Sequence, residues 1–264
     1  MKKPLLCLGF MLGAFGLIVS ETIDLSGTWN TALPSGTYEI QLPGTTDLAG
    51  IGEADTLAPA LTKPQLLRLT RRHSFIGEAA YSRYIDVPKK LAGKPLELKL
   101  ERVMWKSRMV VDGDTLPEFQ ESLATPHRFR LPEGLSAGRH DITLLIDNSE
   151  QHDISVNQLC HAYTNDTQVK WNGVLGEMSL RVVPEIDIRA IEVYPSADGK
   201  QLKVITLIDN NSKKSRKTTL ELSAAGASSK EKLSLKPGLN RIERQVLIDQ
   251  PLEQWGEFSR RLMS

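Results

Sequence analysis

Cysteine is nearly missing: the 264 residues hold two, Cys7 and Cys160. Cys7 lies inside the first apolar run and not at its end, which argues against lipid attachment there. With that run removed as a leader, Cys160 stands alone and no intramolecular disulfide can form. It reads as a small buried hydrophobe and not as a nucleophile, since no helix start surrounds it to lower its pKa. An excess of charge is missing too. Lys+Arg 33 against Asp+Glu 32 leaves a net charge of +1, so nothing selects nucleic acid or an anionic membrane as a partner. The five histidines, His73, His127, His140, His152 and His161, include no pair with each other or with cysteine at zinc-ligand spacing. No loop spaces its carboxylates like a calcium site. No Gly-x-Ser-x-Gly elbow and no glycine-rich phosphate loop is present. Carboxylates are plentiful, but a glycosidase needs two of them held roughly 5 to 10 Å apart in a pocket, and a linear pattern selects no such pair. The expectation is therefore no catalytic residue, no metal and no cofactor within this chain.

One long apolar run is present, at the start. Lys2 and Lys3 precede Leu5 to Val19, and Ser20-Glu21 closes the run with a small residue, the layout of a secretory signal peptide over residues 1–20. The run is shorter than the roughly 20 residues of a spanning helix, so the expectation is a periplasmic or secreted protein with no membrane association after cleavage.

From Ile23 onward, short segments of period-2 alternation recur between Gly, Pro and Asp clusters, and no window keeps a helical period. The chain reads as all-β. The clearest strands are Tyr38 to Leu42, Ala80 to Val87, Leu96 to Leu100, Ser107 to Val111, Arg128 to Leu131, His140 to Asp147 and Glu177 to Val183. Asp112-Gly113-Asp114 between Val111 and Leu116 predicts a tight hairpin, because aspartate and glycine accept positive φ. The pattern resets near Pro184. Ile191 to Val193, Leu202 to Ile208, Thr218 to Leu222, Lys232 to Leu235 and Asn240 to Ile248 follow at the spacing of a small immunoglobulin-like sandwich. Residues 249–264 contain no further alternating run, so this second sandwich, 185–264, is expected to lack its closing strand and to be marginal or adhesive unless something completes it. Its loops, Asp209 to Lys214 and Ala224 to Lys230, read as solvated turns.

Several stretches, in order, carry a family resemblance. Asp24-Leu25-Ser26-Gly27-Thr28-Trp29 and Leu42-Pro43-Gly44-Thr45-Thr46-Asp47 are followed by Leu69-Thr70-Arg71-Arg72, Gly77 to Arg83 and Ile85-Asp86-Val87-Pro88. Leu100-Glu101-Arg102, Val110 to Gly113, Thr125-Pro126-His127, Gly138 and Ile146-Asp147-Asn148 continue the series, and Thr167 to Gly176 closes it. Together they resemble the N-terminal sugar-binding domain of family 2 glycoside hydrolases, the β-galactosidase and β-glucuronidase group, over residues 22 to about 184. The remainder, including Leu252 to Phe258, is similar to that family's immunoglobulin-like domain. The resemblance implies a jelly-roll (galactose-binding-like) β-sandwich at 21–184, followed by an incomplete immunoglobulin-like β-sandwich. It also implies that the family's TIM barrel and its two catalytic glutamates fall beyond this sequence, so retaining hydrolysis transfers to no residue here.

The same resemblance places the loop before the last sandwich strand at the rim of a sugar site. It holds Asp166, Gln168, Trp171 and Asn172. Two readings stay open. In one, Trp171 stacks on a sugar face while Gln168 and Asn172 bond hydroxyls. In the other, Trp171 packs against Arg71 or a domain surface, and Asn172-Gly173 is only a turn. Arg71 and Arg72 either orient a ligand group or form a charged edge. Trp105 with Lys106 reads as packing before stacking, and Trp29 and Trp255 as packing outright. The functional expectation is a carbohydrate-binding and scaffolding portion of a family 2 enzyme, inactive alone. The alternatives are a part of an active β-glycosidase whose barrel is encoded separately or lost, and a free-standing carbohydrate-binding domain. The partners expected are a carbohydrate and a separately encoded catalytic barrel.

Overall fold

The computed structural model describes residues 22–54, 72–154, 163–164, 169–224, 227–248 and 257–258. The leader, Arg71, Asp166, Gln168, Cys160 and Trp255 lie outside them. The chain divides between Val183 and Pro184 into two compact units.

In chain order the first unit forms β1 (Thr22–Asp24), β2 (Gly27–Leu33), β3 (Gly36–Leu42), β4 (Gly44–Thr45), β5 (Glu53–Ala54), β6 (His73–Ser74) and β7 (Glu78–Val87). There follow β8 (Leu96–Arg102), β9 (Lys106–Val111), β10 (Asp114–Glu121), β11 (His127–Arg130), β12 (Gly138–Asp147) and β13 (Gly173–Val182). One sheet runs β10-β9-β12-β7-β2-β3; the other runs β1-β13-β8-β11, with β4 also on β13. Alternation decides which side chains meet between them. In β12, His140, Ile142, Leu144 and Ile146 are buried at every second position. Ile142, Leu144 and Ile146 join Trp29, Tyr81 and Met109 from the same sheet against Leu98, Leu100, Phe129 and Leu180 from the other. Each such apolar side chain contributes roughly 1.5 to 3 kcal/mol on burial. Trp29 donates its indole N–H to the Leu25 carbonyl at 3.0 Å and lies under the Arg83 guanidinium, as a packing residue.

Outward-facing positions obey a different rule. Glu97 on β8 points away from that core yet is 1% exposed, because Arg128, Arg130 and Arg181 close over it at 2.9, 3.4 and 2.9 Å. Three guanidinium groups satisfy the buried carboxylate, which a single partner would leave undersatisfied.

The hairpin between β9 and β10 forms at Asp112 (φ 50°) and Gly113 (φ 91°), with Val111 opposite Asp114, the two-residue turn that positive φ at both positions defines. β10 itself does not alternate and carries Pro117. It is an edge strand whose register breaks between Thr115 and Phe119, where a residue without an N–H is tolerated.

The second unit comprises β14 (Ile186–Pro195), β15 (Gln201–Asn210), β16 (Arg216–Ala224), β17 (Ala227–Leu235) and β18 (Gly238–Leu247). Among the described residues these form a three-stranded sheet, β14-β15-β18, and a two-stranded sheet, β16-β17. They enclose Val204, Ile208, Leu220, Leu222, Leu235 and Val246. The loop expected only as a solvated turn contains a fixed point: Asn210 is buried, donating from Nδ2 to the Lys214 and Leu235 carbonyls at 2.9 and 3.1 Å. The chain is all-β, a jelly-roll sandwich followed by an immunoglobulin-like one.

Candidate functional site

At one end of the first sandwich, β4 meets the start of β13, Thr45 opposite Gly173 and Gly44 opposite Val174. This approach requires glycine. A Cβ on Gly173 would stand 2.2 Å from the Gly44 carbonyl oxygen, and φ there is +140°. The pairing brings two loops side by side, Thr46 to Gly50 after β4 and Val169 to Asn172 before β13. Thr46 N–H donates to the Asn172 carbonyl at 2.9 Å. The first loop is closed on itself, Ala49 N–H to the Thr45 carbonyl at 3.1 Å and Ile51 N–H to the Thr46 carbonyl at 2.8 Å.

Beneath them sits a polar knot. Asn172 is fully buried. Its Oδ1 accepts from the Tyr81 hydroxyl at 2.7 Å, and its Nδ2 donates to the Gly77 carbonyl at 2.9 Å, the Ile146 carbonyl at 3.2 Å and Asn148 Oδ1 at 3.2 Å. Asn148 in turn accepts from Gly77 N–H and donates to the Phe75 carbonyl, both at 2.9 Å. Burial pushes the Tyr81 phenol well above its ordinary pKa, so it remains a neutral donor. The expectation that Asn172 bonds a sugar hydroxyl is corrected here: its amide is spent on four protein groups and it has no exposed surface.

Trp171, the neighbouring residue, does reach the surface. One side packs on the buried cluster of Met104, Trp105 and Tyr163, where Trp105 is 5.2 Å from Tyr163 centroid to centroid. Trp105 is thereby a packing residue, and Lys170 covers the Tyr163 ring at 4.0 Å. Trp171 also lines an open cleft of about 530 Å³ with Thr45, Asp47, Leu48, Arg72, Val169 and Leu175. Arg72 is exposed and is delivered to the rim by β6, which pairs with β5 through Ala54 opposite His73. Asp47 presents a carboxylate whose Oδ1 is buried and accepts no hydrogen bond.

Of the five residues expected at the site, the structure thus places Trp171 in the cleft and Asn172 under it, while Arg71, Asp166 and Gln168 lie outside the described residues. Asp47 carried no expectation, although it ends the Leu42 to Asp47 stretch that carried the resemblance; a carboxylate directly after Gly44-Thr45-Thr46 was the available signal. The cleft can hold a small polar ring by stacking plus a few directed polar contacts. Among the described residues no group of three or more His, Cys, Asp or Glu side chains is placed to hold a metal ion.

No protein-family model matches the sequence, and no curated protein matches it either. Solved structures do match in fold. A family 2 β-galacturonidase from Eisenbergiella tayi superposes with a TM-score of 0.62 at 20% identity, over 91% of this chain and 39% of that one. The β-glucuronidase of Bacteroides uniformis does so with a TM-score of 0.61 at 14% identity, over 90% and 29%. A β-D-mannosidase from Dictyoglomus thermophilum gives 0.60 at 11%, over 87% and 31%. The chain thus spans well under half the length of these enzymes. It has the β-sandwich fold found in part of these glycoside hydrolases.

Proposed function

We propose that this chain is the non-catalytic, carbohydrate-binding and scaffolding portion of a family 2 glycoside hydrolase, exported by its N-terminal leader. In this reading the first sandwich holds a sugar-facing cleft, and a barrel domain outside these 264 residues supplies the catalytic carboxylates. One observation carries the proposal: the Trp171 indole stands at the wall of an open cleft among directed polar groups, on a sandwich folded as in glycosidases. The matched enzymes are a galacturonidase, a glucuronidase and a mannosidase, so pyranosides are the ligand class this reading assigns.

The test is an assay of residues 21–264 against nitrophenyl β-glycosides, acidic and neutral, run beside a titration of the same sugars followed by tryptophan fluorescence. The expected result is saturable quenching that Trp171→Ala removes, with no nitrophenol release above the buffer rate. Release that persists through purification would contradict the non-catalytic assignment. Absence of any saturable quenching would contradict the binding assignment.

A further inference from the structure

The outer face of the six-stranded sheet carries a small dimple of about 80 Å³, lined by Glu78, Lys106, Arg108, Leu145 and Asp147. Strand register sorts its charges. Asp147 on β12 stands opposite Glu78 on β7 and opposite Lys106 on β9, and Leu145 stands opposite Arg108 on β9. The two carboxylates therefore occupy one side and the two cations the other, with Leu145 as the apolar floor. Two carboxylates directly opposite each other repel, and a cation between them removes the repulsion.

Side chains of opposite sign on neighbouring strands are close enough to pair, yet none of these four forms an ion pair among the described residues. Lys106 is drawn aside, its ammonium lying over the Phe119 ring at 4.7 Å. Asp147 is held back by Ser149 N–H at 2.9 Å and by Gln151 Nε2 at 3.3 Å. The dimple thus keeps both signs apart and open, and two carboxylates against two cations leave it with no net charge. A metal cation there meets Lys106 and Arg108, and a simple anion meets Glu78 and Asp147, so neither is favoured. A molecule carrying both signs is.

We infer that this dimple binds a small zwitterion of the α-amino-acid class, its ammonium between Glu78 and Asp147 and its carboxylate on Arg108. A guanidinium meets a planar carboxylate through two parallel N–H···O contacts, and Lys106 adds a second positive charge beside it. The volume suits a ligand of about the size of alanine, whose methyl group meets Leu145. The site is independent of the proposed sugar-binding role and shares no residue with the Trp171 cleft.

Isothermal titration of the full chain with L-alanine tests this, beside ethylamine and propionate, which carry one charge each. The expected result is saturable binding of L-alanine, at least about tenfold tighter than either single-charge probe, and weakened about tenfold by Glu78→Gln or by Arg108→Gln. Both of those side chains are exposed and unpaired, so the variants should keep the urea midpoint of the wild type or, for Glu78→Gln, exceed it slightly. Trp171→Ala should leave alanine binding unchanged. Propionate binding as tightly as alanine, or alanine binding that is indifferent to Arg108→Gln, would overturn the inference. So would the absence of any saturable heat from L-alanine.

Discussion

Replacing Asn172 by alanine is the most informative single change in the first sandwich. The substitution removes one acceptor and three donor contacts at once, taking from the Tyr81 hydroxyl its acceptor and from the Ile146 carbonyl and Asn148 Oδ1 one donor each in a dry region. The Gly77 carbonyl is spared, since Asn148 N–H also donates to it at 3.3 Å. The Tyr81 hydroxyl can turn toward Thr31, which faces it across β2 and β7 and whose own hydroxyl lacks a partner. At about 0.5 to 1.5 kcal/mol for each of the four hydrogen bonds lost, with the Tyr81 bond partly replaced, the loss comes to about 3 kcal/mol. That is a large share of the 5 to 15 kcal/mol typical of a domain. Urea unfolding followed by tryptophan fluorescence reports it, since Trp29, Trp105 and Trp171 all sit in this sandwich. Tyr81→Phe should cost about 1 kcal/mol alone, and the double variant should cost less than the sum of the two. A loss below about 1 kcal/mol for Asn172→Ala, or strict additivity with Tyr81→Phe, would refute the role given to this knot.

Gly173→Ala should destabilise the sandwich by about 2 to 4 kcal/mol and weaken cleft ligands even in the folded fraction, because the new Cβ forces β4 and β13 apart under both loops; denaturation and titration of the same sample check it. Glu97→Gln should cost about 1 to 3 kcal/mol by leaving three part-exposed guanidinium groups facing one another, and added salt should recover part of the loss. His140 donates from Nδ1 to Asp112 at 2.6 Å and from Nε2 to the Ser136 carbonyl at 3.0 Å, and the Asp112 carboxylate, more than the backbone carbonyl, raises its pKa. A raised folded pKa means stability present in full below about pH 6.5 and lost as pH climbs through the folded value. The gap in urea midpoint between the wild type and His140→Gln should therefore be widest near pH 6 and shrink by pH 9. A gap independent of pH would contradict this. His127 pulls the other way: burial lowers its pKa, and it stays neutral with Nε2–H toward the Ser122 carbonyl and Nδ1 accepting from Ser107.

What the sequence disclosed follows from how local each signal is. Strands buried on one face declare themselves by alternation, as β12 and β8 do, and the Asp112-Gly113 turn needs only its own two residues to be read. β10 was hidden because an edge strand with Pro117 in it has little to alternate against. Asn172 looked like a sugar ligand because a planar amide before a glycine is consistent with a ligand or a turn. Its actual partners lie 24, 26, 91 and 95 residues away, and only the pairing of β7, β12 and β13 with the loops around them brings them together. Trp171 was legible as an aromatic on a loop, but not that one of its sides is committed to Trp105 and Tyr163. Asp47 stands out only by a buried oxygen without a hydrogen-bond partner, a property that no linear pattern contains.

The most direct test of the central claim is a crystal structure of the chain grown with a saturating pyranoside. A pyranose lying on the Trp171 indole inside this cleft is the predicted result. Bound sugar elsewhere on the sandwich, with this cleft empty, would contradict it.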